Sequence, residues 1–325
     1  MKSGLKKIVI SLAVIIIAGL VLYKGVYSKV YNQSNTQQDT VIGANVGELS
    51  PERVVNDMYD LPNRFAGTKS NARAVQYVRN FFREIGLEPY EGDTYYHSFY
   101  GEYLKCSRFF MLQVNGTVEN VAGMIKGIDS TKAVVVSAHL DSFLGKGVVD
   151  NASGVAALLN TAKILSRDLQ SGSYPVDIIF VSFNAEESGL LGSQALYEDM
   201  SQRYTEFYNI NMDCVGVKDK ALAMKNEFPN SEKLYKEFLP FLDKYNIPYE
   251  NIVYAADEDG DAVGNSDNLV FQENGRAAIV LGETQLVGFT NTRKDKDLTL
   301  MDYKELVRLT NAVADFIISS DGRIY

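Results

Sequence analysis

The run Ala133-Val134-Val135-Val136-Ser137-Ala138, followed at once by His139-Leu140-Asp141, decides the fold of this chain. An almost unbroken apolar run rich in valine reads as a strand buried on both faces, and its abrupt polar end reads as a strand terminus. Comparable runs lie at 178–183, ahead of Ala185-Glu186-Glu187, and at 277–281. Residues 207–212 are a weaker strand ending at Asp213, because Asn209 and Asn211 interrupt it. Residues 94–104, studded with aromatics, and 120–125 read as further strands. Between or after them lie helical patterns at 153–165, 190–200, 231–245 and 302–319. An amphipathic helix spans 71–85, with Ala74, Tyr77, Val78, Phe81, Phe82 and Ile85 on one face, and an earlier helix starts at Ser50-Pro51. Apolar strands alternating with helices predict an α/β fold: a mostly parallel, mixed central sheet flanked by helices.

In open α/β sheets functional residues collect at the carboxyl ends of the strands. His139, Glu186, Glu187 and Asp213 each stand at or just beyond such an end. Asp150, in Val149-Asp150-Asn151-Ala152-Ser153-Gly154, lies on the loop after the His139 strand and just before a helix. Only two histidines exist in the chain, and one of them stands in this acid-rich set. One imidazole with several carboxylates is what a zinc hydrolase site requires. Solvated acids at strand ends are the alternative, common in acidic proteins. The consistent placement of five polar residues along one sheet edge favours the metal.

The chain has 325 residues, 46% of them hydrophobic, which suffices for a sizeable core and excludes global disorder. A formal charge of -9 argues against a nucleic-acid partner. Two cysteines, Cys106 and Cys214, are too few for a disulfide scaffold. At the N-terminus Lys2, Lys6 and Lys7 precede an apolar run at 8–23 that Lys24 closes. Residues 1–28 therefore read as a signal anchor, or as a signal peptide if they are cleaved. Basic residues on the N-terminal flank place the rest of the chain outside the cell membrane. Residues 29–48 form a polar linker, and 49–325 the globular domain.

The ordered set His139-Leu140-Asp141, Val148-Val149-Asp150-Asn151, Asn184-Ala185-Glu186-Glu187-Ser188-Gly189-Leu190-Leu191-Gly192 and Asn211-Met212-Asp213 resembles the two-zinc aminopeptidase family. That family includes bacterial leucyl aminopeptidases, glutamate carboxypeptidase II and the glutaminyl cyclases. The resemblance runs from about Leu61 to the C-terminus and implies a zinc-exopeptidase-like domain acting on peptides. By the same resemblance His139 and Asp213 would bind one zinc, Asp150 would bridge two metals, and Glu187 would bind the second. Asp141 would orient His139 through its other ring nitrogen, and Glu186 would be the general base towards the attacking water.

The pattern breaks near the C-terminus. Where the family carries a histidine in a segment like H-T-x-x-D, this chain has Asn291-Thr292-Arg293-Lys294-Asp295. A carboxamide oxygen is a weak, neutral donor compared with imidazole. The expectation is one complete zinc site, and a weakened second one open to loosely held zinc or a harder divalent cation. The other histidine, His97, lies in the aromatic strand and reads as a satisfied strand residue. A metal-dependent exopeptidase, most simply an aminopeptidase, is one functional reading. A catalytically weak or inactive binding ectodomain on the same fold is the other.

Overall fold

The computed structural model describes residues 49–106, 111–257, 259 and 261–325. The N-terminal anchor and the polar linker lie outside the described residues. Among the described residues no helix is long and apolar enough to cross a membrane.

The domain opens with α1 (Pro51–Tyr59), capped by Ser50, whose Oγ accepts from the Arg53 N–H. Next comes α2 (Lys69–Glu84), whose cap is Thr68, and its buried face carries Ala74, Tyr77, Val78, Phe81 and Phe82 as the periodicity predicts. The strands β1 (Glu88–Pro89), β2 (Tyr96–Cys106), β3 (Met111–Ile125) and β4 (Asp129–His139) follow. Then α3 (Gly154–Asp168), β5 (Val176–Phe183), α4 (Leu191–Arg203) and β6 (Glu206–Met212) alternate. The C-terminal part holds β7 (Leu222–Ala223), α5 (Glu232–Lys244), β8 (Tyr249–Glu250), α6 (Asn268–Glu273), β9 (Ala278–Leu281) and α7 (Tyr303–Ser320).

A seven-stranded mixed sheet runs β1-β3-β5-β4-β6-β9, with β2 paired to β3. The four strands β5, β4, β6 and β9 are mutually parallel. On the other side β3 pairs antiparallel with β5, β1 and β2. The antiparallel flank is a larger share of the sheet than the sequence suggests. The strand expected at 120–125 is the end of a fifteen-residue strand whose earlier part, through Asn115 and Gly116, is mostly polar.

Both faces of the parallel part are covered. On one face Leu196 and Met200 of α4 and Phe271 of α6 pack against Val135, Ile179 and Val181. Val134 and Val136 alternate with these and are equally buried, beneath α3, which packs on β4, β5 and β6. Full burial of such a side chain is worth about 1.5–3 kcal/mol. The asparagines that weaken the β6 pattern form a buried polar layer: Asn209 Nδ2 donates to Ser137 Oγ, Ser137 Oγ to Asn211 Oδ1, and Asn211 Nδ2 to Ser266 Oγ, each at 2.8 Å. With both amide nitrogens and the Asn211 oxygen paired in this way, the two asparagines are compatible with a central strand, although Asn209 Oδ1 has no hydrogen-bond partner among the described residues.

Candidate metal centre

His139 is the last residue of β4 and pairs with Phe183 at the end of β5, while Ser137 pairs with Asn211 near the end of β6. This register brings three carboxyl ends to one edge. Beyond them lie His139, the Ala185-Glu186-Glu187 turn and Asp213. Asp150 arrives from the loop after β4, in a tight turn over Val148–Ser153. Asn151 pins that turn to β6: its Nδ2 donates to the Met212 carbonyl, and its Oδ1 accepts from the N–H groups of Gly154 and Cys214. A Cβ at residue 154 would overlap Asn151 Oδ1 and the Met212 carbonyl, so glycine is required where α3 meets the sheet edge.

The donors converge closely. His139 Nε2 lies 3.2 Å from Asp150 Oδ1 and 3.3 Å from Asp213 Oδ1, and all three residues are buried. One ligand atom from each lies within 4.8 Å of the others. Asp141 is fully buried and accepts from the backbone N–H groups of Glu186 and Glu187, both at 3.2 Å. It faces His139 Nδ1 at 3.5 Å, too long for a well-formed hydrogen bond, and among the described residues Nδ1 has no other hydrogen-bond partner. Glu187 Oε1 accepts from the Phe143 N–H at 3.0 Å. Glu186, half-buried, lines a cleft of about 230 Å³ together with Asp150, Asp213, Tyr254 and Asn291.

The electrostatics call for a cation. Burial, together with their acidic neighbours, raises the carboxyls of Glu186 and Glu187 well above the usual range and Asp150 to a lesser degree, against the pull of His139. Burial disfavours a charged imidazole, but Glu186 and Asp213 outweigh it and raise His139 well above the usual histidine range. A single imidazole thus serves a surplus of desolvated acids. An imidazole nitrogen beside two carboxylate oxygens is a donor set that zinc accepts, so the residues fit the ion.

Three further residues support the site: Arg64 gives no signal in the sequence pattern, whereas Asp295 closes the Asn291-Thr292-x-x-Asp295 segment and Asp267 lies in Ser266-Asp267-Asn268. Arg64 is wholly buried and donates to the carbonyls of Leu140, Met58, Lys146 and Gly147, holding the loop after β4 in place. Burial pulls its pKa down to about 10. Asp295, the acid that closes the Asn-Thr-x-x-Asp segment, accepts from the N–H groups of Val148, Val149 and Asp150. Burial pushes its carboxyl up to about 6 against those bonds. Asp267 is fully buried, and no well-formed hydrogen bond reaches either of its oxygens. Burial pushes it up to about 7, against the pull of His139.

His97 is not part of this group. It is buried in β2, where Asn120 Nδ2 lies 3.2 Å from its Nδ1 and Tyr90 packs edge-on against its ring. Asn291, by contrast, stands at the mouth of the site. With its carboxamide oriented so that donors meet acceptors, Nδ2 lies 2.8 and 2.9 Å from the two Glu187 oxygens and 3.1 Å from Asp150 Oδ2.

A buried His–Asp–Asp group at one edge of an α/β sheet is a donor set able to hold a divalent metal ion. The chain matches the model of Peptidase family M28 over residues 120–317 and belongs to that family. It is 32% identical over 175 residues to aminopeptidase YwaD of Bacillus subtilis, a match covering 50% of this chain and 34% of that protein. To leucine aminopeptidase 1 of Phaeosphaeria nodorum it is 26% identical over 183 residues, 47% of this chain and 46% of that one. The chain thus spans less than half the length of these curated relatives. Its fold is shared with the LapA aminopeptidase of Legionella pneumophila, at a TM-score of 0.64 and 17% identity over 89% of this chain and 76% of that one. It is shared equally with a glutaminyl cyclase of Bacteroides thetaiotaomicron, at a TM-score of 0.64 and 19% identity over 82% of this chain and 96% of that one.

Asp267 yields a pH prediction for the metal-stripped protein. The folded chain holds the Asp267 proton up to about pH 7, the unfolded chain only to about pH 4. The folded state therefore binds more protons in this window, and stability falls as pH rises through it. Asp267→Asn removes that dependence. Unfolding free energies from urea titrations across the window are expected to diverge in favour of the variant by roughly 2–4 kcal/mol. A constant gap would contradict the assignment.

Proposed function

We propose that this chain is a zinc-dependent aminopeptidase, and the observation that carries the reading is the buried His139, Asp150 and Asp213 group with Glu186 beside it in the cleft. His139, Asp150 and Asp213 would hold the zinc, which would supply Lewis-acid chemistry at the scissile carbonyl. Glu186 takes a proton from the attacking water and returns it to the leaving amine, a role suited to a carboxyl raised by burial. Asp141 holds the Glu186 and Glu187 backbone in place and faces the rear of the His139 ring. Glu187 positions Asp150 through Asn291.

The shape and charge of the cleft support an exopeptidase that reads an amino terminus. At about 230 Å³ it is smaller than the roughly 300–1,000 Å³ of pockets for drug-sized ligands, and so it suits the end of a peptide. Among the described residues lining it there is no lysine or arginine to pair a terminal carboxylate. The relatives named aminopeptidases agree with this reading.

The N-terminal segment supports a single-pass protein with its domain outside the cell membrane, through the lysines that flank the apolar run at 8–23. The chain is expected to stay in the membrane pellet after alkaline carbonate washing. Its release into the supernatant at full length would remove the anchor.

Turnover is tested with the full chain in detergent, zinc and short unblocked peptides. Release of the N-terminal residue is expected, falling about 100- to 10,000-fold in Glu186→Gln with metal content unchanged. Release that survives the substitution would remove Glu186 from the chemistry. No release from the wild type would leave the inactive binding ectodomain, the reading that Asn291 favours.

A further inference from the structure

Asp150 is divided between two neighbourhoods. Its Oδ1 faces His139 Nε2 at 3.2 Å, on the side of Asp213, while its Oδ2 lies 3.1 Å from Asn291 Nδ2. Both oxygens of Glu187 turn to the same amide, at 2.8 and 2.9 Å, and Oε1 also accepts from the Phe143 N–H. With the Asn291 carboxamide turned so that donors meet acceptors, one NH2 group lies against three carboxylate oxygens. Among the described residues only His139, Asp150 and Asp213 form a group of three ionisable donors close enough to share an ion, and Glu187 joins no such group.

The geometry points to a one-ion centre: His139, Asp150 and Asp213 take a single divalent cation, and the Asn291 amide stands in the place of a second, tying Asp150 to Glu187. The carboxylates that would otherwise draw a second cation are solvated by charge-assisted N–H···O bonds. To enter, a second ion must break all of these contacts. It gains in return only a neutral carboxamide oxygen, a weak donor for zinc, and only after the amide has turned over. Glu187 is then a positioning residue, holding Asp150 through Asn291. This inference rests on the proposed reading of the site as a metal centre, but metal content tests it without any turnover.

The full chain is stripped with chelator, equilibrated with excess zinc, desalted and measured for zinc per chain, with titration calorimetry alongside. The wild type is expected to hold one zinc, and Asn291→His two, its second zinc binding at least about 100-fold more tightly than any second zinc of the wild type. Asn291→Asp, of nearly the same shape but without the N–H donors, is expected to admit a second ion, and serves where the histidine variant does not fold. Two tightly held zinc ions in the wild type would overturn the inference, as would a single zinc in both folded variants. One zinc per chain without peptide release would leave this inference standing and remove the peptidase reading.

Discussion

The site depends first on the parallel register that holds β4 between β5 and β6. β4 ends in His139, β5 in Phe183 and β6 in Met212, and the Ala185-Glu186-Glu187 turn and Asp213 lie just beyond the last two at the same edge. A shift of one residue along β4 would turn His139 to the opposite face of the sheet, because side chains alternate. Valines are buried on both faces of β4, but such a shift would part Ser137 from Asn209 and Asn211, to which it is hydrogen-bonded. The buried polar layer therefore sets the position of His139, and the chemistry inherits it.

A second constraint is electrostatic. Bringing Asp141, Asp150, Glu186, Glu187, Asp213 and Asp267 together out of water is costly unless positive charge or N–H groups meet them. The chain answers with both. Backbone N–H groups serve Asp141 and Asp295, and the Asn291 amide serves Glu187 and Asp150. Arg64 gives its donors to loop carbonyls, while its charge acts through space on Asp295, Asp141, Asp150 and Glu187. The remaining surplus faces His139, which is where a cation fits.

The parallel strands and the residues at their ends were legible because an apolar run that stops at a polar residue leaves a clear one-dimensional mark. Asp150 could be placed because it precedes a recognisable helix start. Other features leave no such mark. Arg64 works through backbone carbonyls, which any sequence offers, so nothing distinguishes it from the other arginines. The length of β3 is hidden by its polar first half, and α6 is too short for a periodic pattern. Asn209 and Asn211 looked like interruptions, since their partners Ser137 and Ser266 lie far away in the chain. The loss of histidine at Asn291 was visible, but its contact with both acids is a property of the folded loop.

The most direct test is an anomalous difference map collected at the zinc edge from crystals of the zinc-loaded protein. The account predicts a peak about 2.0–2.2 Å from His139 Nε2 and from one carboxylate oxygen each of Asp150 and Asp213. A peak bound elsewhere, or one that leaves His139 out of its coordination, would contradict the claim that the ends of β4 and β6 and the loop after β4 build the metal centre.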